Sequence, residues 1–158
     1  MSDAVALERL EKWDRRYLDL ARYVSQWSKD PSTKAGAVVV DPSRNRVVSV
    51  GYNGFAPGGA DDGRLHDRET KYQMTVHCER NAVVSACRDV TGFTLYTWPF
   101  FGCTPCGAMM LCAGIRRAVA PELSDHLKER WEADLERAVV MWREASAEVV
   151  IYPGVERR

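Results

Sequence analysis

The chain has no surplus of charge of either sign: 22 lysines and arginines face 22 aspartates and glutamates. That balance counts against a protein that holds nucleic acid by its phosphates, which calls for a basic footprint. No apolar run is long enough to span a bilayer, and the opening MSDAVALERLEKWDRR carries no apolar leader. A membrane partner is therefore not expected, and a cytoplasmic location is. Histidine is scarce, at three residues, and the five cysteines at 78, 87, 103, 106 and 112 form no paired framework. An odd count of that kind fits a reducing compartment. The 158 residues suit one domain, residues 1–158, binding a small molecule.

What is there concentrates between Thr75 and Gly114. His77 and Glu79 head one apolar run, VHCERNAVVSACR, and Cys103 and Cys106 head another, CTPCGAMMLCAG. One imidazole and two thiolates can take three corners of a tetrahedron around Zn2+ and leave the fourth for water, the arrangement of a catalytic site. A helix beginning near His77 aims His77 at the metal and Glu79 at that water. A C-x-x-C at a helix start gains from unpaired N–H groups and the helix dipole, which favour thiolate. H-x-E followed by C-x-x-C is the signature of zinc-dependent nucleobase deaminases, in which the glutamate moves protons and does not bind the metal. The plainer reading of Glu79 is an acidic residue favouring a helix N-terminus.

The remaining pattern supplies the frame. Leu10, Trp13, Tyr17, Leu20, Val24 and Trp27 recur at helical spacing across residues 4–28, an apolar face with no chemistry of its own. Ser2 or Asp3 is placed to cap that helix. AGAVVV and RVVSVG, joined by DPSRN, read as a hairpin of buried strands. TLYTWP, IRRAVAP and SAEVVIYP are three further strands, and a helix over residues 124–145 carries Leu127, Trp131, Leu135, Ala138, Val139 and Trp142. Strands alternating with helices indicate a mostly parallel central sheet covered on both faces. The glycine-rich GYNGFAPGGADDG allows sharp turns or close approach to a ligand. Asn53 within it reads equally as the Asn of an Asn-Gly turn. DDGRLHDRETKYQ reads as a charged surface segment, with His66 a solvated loop residue. Cys78 and Cys112 are expected to pack, while Trp98, Phe100 and Phe101 could stack on a base or fill core.

Taken together, SKDPSTKAGAVVV, GYNGFAPGGADD, RETKY, VHCERNAV, CTPC and AGIRRAV resemble the deoxycytidylate deaminase branch of the zinc-dependent cytidine deaminase superfamily. The likeness runs over roughly residues 15–120 in the family's order. It implies an α/β fold, three-layer α/β/α and cytidine deaminase-like, with a five-stranded mixed, mostly parallel sheet. It also implies a hydrolase that converts dCMP to dUMP and ammonia. Carried over by position, His77, Cys103 and Cys106 would bind zinc, Glu79 would shuttle the proton, Asn53 would touch sugar or base, and Asn81 would support the site. The resemblance further implies a homo-oligomer.

Two departures alter the pocket wall: Cys78 stands where the family usually has Ala, and Gly102 where it usually has Pro, after a lengthened WPFFG. Trp27 and Gly58 stand where many members carry basic or polar residues. Lys29, Lys34, Arg64, Arg68 and Lys71 remain as possible partners for a phosphate. A free base or nucleoside (cytosine, deoxycytidine, guanine) is the alternative substrate, and a non-catalytic zinc-stabilised binding module the alternative class.

Overall fold

The computed structural model describes residues 3–154. Helix α1 (Asp3–Ser25) leads into β1 (Gly36–Asp41) and β2 (Arg46–Tyr52). There follow a short β3 (Gly54–Phe55), one 3-10 turn (Gly63–Leu65), α2 (Arg68–Met74) and β4 (Thr75–Val76). The second half alternates: α3 (Cys78–Ser85), β5 (Thr94–Trp98), α4 (Thr104–Cys112), β6 (Arg117–Pro121), α5 (Asp125–Glu144) and β7 (Glu148–Tyr152). The expected cap at Ser2 lies outside the described residues.

Five strands form one sheet in the order β2-β1-β5-β6-β7. It is mixed as expected, but its pairings divide evenly. β1 runs antiparallel to β2 and β5, whereas β5, β6 and β7 are parallel. The crossover through α3 does return β5 in the direction of β2, yet β1 lies between them, so β5 meets an antiparallel neighbour. The two-stranded β3-β4 ladder, with Gly54 opposite Val76, was not foreseen; two residues per strand leave no periodicity to read.

The sheet's alternation divides the core. Val38, Val40, Tyr96, Trp98 and Val119 face α1, where they meet Tyr17, Leu18 and Ala21. Ala37, Val39, Leu95, Ala118 and Ala120 face the other way, onto Cys78, Ala82, Met110, Ala138 and Trp142 of α3, α4 and α5. Burying each large apolar side chain is worth about 1.5–3 kcal/mol, so these two layers drive the fold. Leu10 and Trp27, placed on the α1 stripe by spacing, are 44% and 49% exposed. The helix ends at Ser25, which takes Trp27 off the stripe.

One acid enters the α1 core layer. Asp14 is wholly buried and accepts from Arg117 Nη1 at 2.8 Å and Nη2 at 2.7 Å, from Tyr96 Oη at 2.8 Å and from Tyr152 Oη at 2.9 Å. It ties α1 to β5, β6 and β7 at once. Removing Arg117 would leave the Asp14 carboxylate buried without a countercharge, a cost of about 3–5 kcal/mol, whereas Arg117 has a second partner in Glu148 at 2.8 Å.

Candidate active site

His77 follows β4 and occupies the N-cap position of α3. That helix lies flat on β2 because Gly51 has no side chain. A Cβ there would collide with the Ala82 backbone and stand 2.5 Å from Cys78 O. The glycine-rich stretch thus admits a helix at this point rather than a ligand. Ser49 Oγ also donates to Ala82 O at 2.7 Å. On the second arm, Cys103 takes the N-cap position of α4, Pro105 lies in its first turn, and Cys106 follows one turn along. Asp134 of α5 closes this helix start, accepting from Thr104 N at 3.0 Å and from Thr104 Oγ1 at 2.8 Å. Burial would raise the Asp134 carboxyl, but these donors, with Arg137, hold it below its usual value.

The two arms bring three ligands to one point. His77 Nδ1 is 3.4 Å from Cys103 Sγ and 3.3 Å from Cys106 Sγ, and the three donor atoms lie within 4.8 Å of one another. Tetrahedral zinc with ordinary bond lengths would set such N···S edges at about 3.6 Å. Imidazole plus two soft sulfurs is a donor set suited to zinc, so the residues present fit that ion. Hydrogen bonding with Cys106, and then with His77, holds the Cys103 thiol well below its ordinary value.

Glu79 sits in the first turn of α3, 5% exposed. Burial pushes its carboxyl above the ordinary value, against the opposing pull of His77. Cys78 Sγ donates to Glu79 Oε2 at 3.4 Å, so the buried Cys78 touches the site as well as packing. Gly102 leaves room for the other oxygen: a Cβ there would collide with Glu79 Oε1 and lie 3.1 Å from Cδ.

These groups floor a cavity of about 280 Å³ whose aromatic walls are Trp98, Phe100 and Trp131. Phe100 and Trp131 stack at a tilt, 5.4 Å between centroids. Phe101 instead turns away to the core, edge-on to Trp142. The opposite wall is the SKDPSTK loop, organised by Asp30. That carboxylate accepts from Ser32 N at 2.7 Å, Thr33 N at 3.1 Å and Lys71 Nζ at 3.0 Å. Asn53 lines the cavity, but its amide is occupied: Oδ1 accepts from Ala35 N at 2.8 Å and Nδ2 donates to Thr33 O at 2.9 Å. Asn81 is absent from the cavity wall. Its Nδ2 donates to Tyr52 O at 2.7 Å and pins α3 to the end of β2.

Several side chains fall elsewhere than the sequence suggested. The charged stretch 61–73 is not all surface, since Leu65 and Lys71 are buried. Cys112 is exposed rather than packed. Lys29 pairs with Asp61 at 2.5 Å and Arg64 with Asp62 at 2.9 Å, and both lie off the cavity. Asp30, Tyr72, Arg130 and Trp131 line it, and none was singled out for that role. For Trp131 the helical stripe gave a core reading. For Arg130, its neighbour in sequence, no local signal exists.

Residues 11–121 match the family model of the cytidine and deoxycytidylate deaminase zinc-binding region. The chain is 37% identical over 144 residues to an "Uncharacterized deaminase in luxG 3'region" of Aliivibrio fischeri, covering 91% of this chain and 96% of that one. It is 32% identical over 133 residues to the deoxycytidylate deaminase of Homo sapiens, covering 80% and 72%. Among solved structures, the dCMP deaminase of cyanophage S-TIM5 shares the fold. Its apo form has a TM-score of 0.67 at 19% identity, covering 96% of this chain and 99% of that one. Helix α5 and strand β7 lie beyond the matched stretch.

Proposed function

The chain belongs to the cytidine and deoxycytidylate deaminase zinc-binding family, and from that premise we propose that it hydrolyses dCMP to dUMP and ammonia. The observation that carries this reading is the buried Glu79 carboxylate next to the His77, Cys103 and Cys106 cluster, at the floor of an aromatic-walled cavity. The relatives support the substrate: the human protein is named a deoxycytidylate deaminase, and the cyanophage enzyme has been solved in complex with dCMP and dUMP.

His77, Cys103 and Cys106 would hold zinc, which supplies Lewis-acid activation of the attacking water. Glu79 takes a proton from that water and delivers it to the ring nitrogen beside the amino-bearing carbon. As the carbon–oxygen bond forms, the ring carbon–nitrogen double bond opens onto the protonated nitrogen; Glu79 then carries the remaining hydroxyl proton to the amino group, whose carbon–nitrogen bond breaks to release ammonia as the ring carbonyl forms. A carboxyl whose affinity for protons is raised by burial is suited to both taking and returning them. Cys78 donates to one carboxylate oxygen, and the missing side chain at Gly102 leaves space for the other. Asn53 and Asn81 act one step removed, Asn53 by holding residues 33–35 in the cavity wall and Asn81 by seating α3.

The protein acts as a single deaminase domain on a small nucleotide, in the cytoplasm and as a homo-oligomer. No described helix is long and apolar enough to cross a membrane, and exposed Tyr23, Trp27 and Tyr52, stacked edge to face, offer a surface for a second copy. The function is tested by ammonia release from dCMP, deoxycytidine, cytosine and guanine on one preparation. The highest kcat/KM is expected for dCMP, and faster turnover of an unphosphorylated compound would replace that substrate.

A further inference from the structure

Base chemistry at Glu79 puts the phosphate of a nucleotide at the far end of the cavity, so the cations there bear on specificity. Lys71 is the deeper one, but its ammonium is already matched by Asp30 at 3.0 Å and Ser32 Oγ at 2.9 Å. Arg130 differs. It lies where the catalytic cavity adjoins a second one of about 770 Å³, and the two share Ser32, Thr33, Trp98, Pro99 and Arg130 in their walls.

The guanidinium of Arg130 is clamped between two rings, its carbon 5.1 Å from the centroid of Tyr72 and 5.1 Å from that of Trp131. Rings on two sides restrict its rotamers while leaving the fork of N–H donors free. No carboxylate among the described residues hydrogen-bonds or ion-pairs with it. Partial burial and the neighbouring Arg68 disfavour its charge, the Asp30 carboxylate offsets this in part, and the side chain stays exposed at the seam, within reach of an incoming anion. Exposed Lys34 and His126 also line the adjoining cavity, and Ser32 and Thr33 add hydroxyls at the seam.

We propose that Arg130 is the specificity-determining residue that receives the 5′-phosphate of the substrate, so that α5, outside the matched family region, decides between phosphorylated and unphosphorylated compounds. This rests on the deaminase reading above. Arginine suits the task because its planar fork meets two phosphate oxygens at once, and the rings have already restricted its rotamers.

The test measures kcat/KM for dCMP and for deoxycytidine in wild type, Arg130→Gln, Arg130→Lys and Arg68→Gln, with zinc content and circular dichroism checking each fold. The ratio of the two constants should fall roughly a hundredfold in Arg130→Gln, mainly through KM for dCMP, as a charge-assisted donor is lost from a bound phosphate. Arg130→Lys should recover part of the ratio, keeping the charge without the fork. Arg68→Gln should move it by less than about threefold, since an exposed charge off the wall acts only through screened distance. A folded, zinc-loaded Arg130→Gln with the wild-type ratio overturns the assignment while leaving the deaminase reading intact. Wild type that releases no ammonia from either compound overturns that reading instead.

Discussion

Replacing Gly102 by alanine should separate catalysis from folding more cleanly than any ligand substitution. The added Cβ would collide with Glu79 Oε1 and lie 3.1 Å from Cδ and 3.4 Å from Cγ. No backbone atom is among these neighbours, so the cheapest response is rotation of the glutamate side chain. Restoring ordinary contact requires the oxygen to retreat by about 1 Å. A misplacement of that size costs a proton-transferring group about a hundredfold in rate, or about 2.7 kcal/mol of barrier. The methyl itself enters a tight spot whose occupant can move, so the stability cost should stay near 1 kcal/mol. Steady-state ammonia release should therefore show kcat reduced about a hundredfold, with zinc content unchanged and Tm lowered by only a few degrees. A variant with more than a third of the wild-type kcat would mean that Gly102 does not set the position of Glu79.

The other expectations follow from single contacts. Glu79→Ala should keep fold and zinc but lose 10²- to 10⁴-fold in kcat by ammonia release, because the general acid–base group is gone while the ligands stay. Elemental analysis should find about one zinc per chain in wild type, and Cys106→Ser should lose most of it because one of three protein ligands is missing. Alkaline stability should report the Asp14 hub. Burial and donation to Asp14 push Tyr152 up to about 12, and Tyr96 is raised for the same reasons. A folded pKa above the unfolded one gives stability that is complete below pH 10 and lost as pH rises toward 12. Tm should thus decline over that window in wild type, and less steeply in Tyr152→Phe.

How far the sequence reached depended on whether a residue's role is local. His77, Glu79, Cys103 and Cys106 were legible because each pair sits at a helix start, where spacing alone determines direction. The five strands of the main sheet were legible to within two residues at their ends, because short apolar runs bounded by turn residues mark them locally. Asp30 and Lys71 were not, since 41 residues separate them and only folding brings them to 3.0 Å. Nothing in the sequence around Asp14 marks it as buried. Its burial depends on Arg117, Tyr96 and Tyr152, three residues on three other elements. Arg130 shows the limit from the other side: helical periodicity placed its neighbour Trp131 correctly on the inward face, but cannot say which adjacent charge bends over a cavity.

The bond between Thr104 and Asp134 has a kinetic consequence. The amide it engages opens the helix that carries Cys106, directly after Cys103, and the partner lies on α5, which also walls the cavity through Arg130 and Trp131. An opening fluctuation that lifts α5 would therefore uncap α4 in the same motion. The start of α4 and the cavity wall would then open together, and hydrogen exchange at the Thr104 amide should report both. A change far out on α5 would thereby loosen the start of α4 as well as the cavity wall.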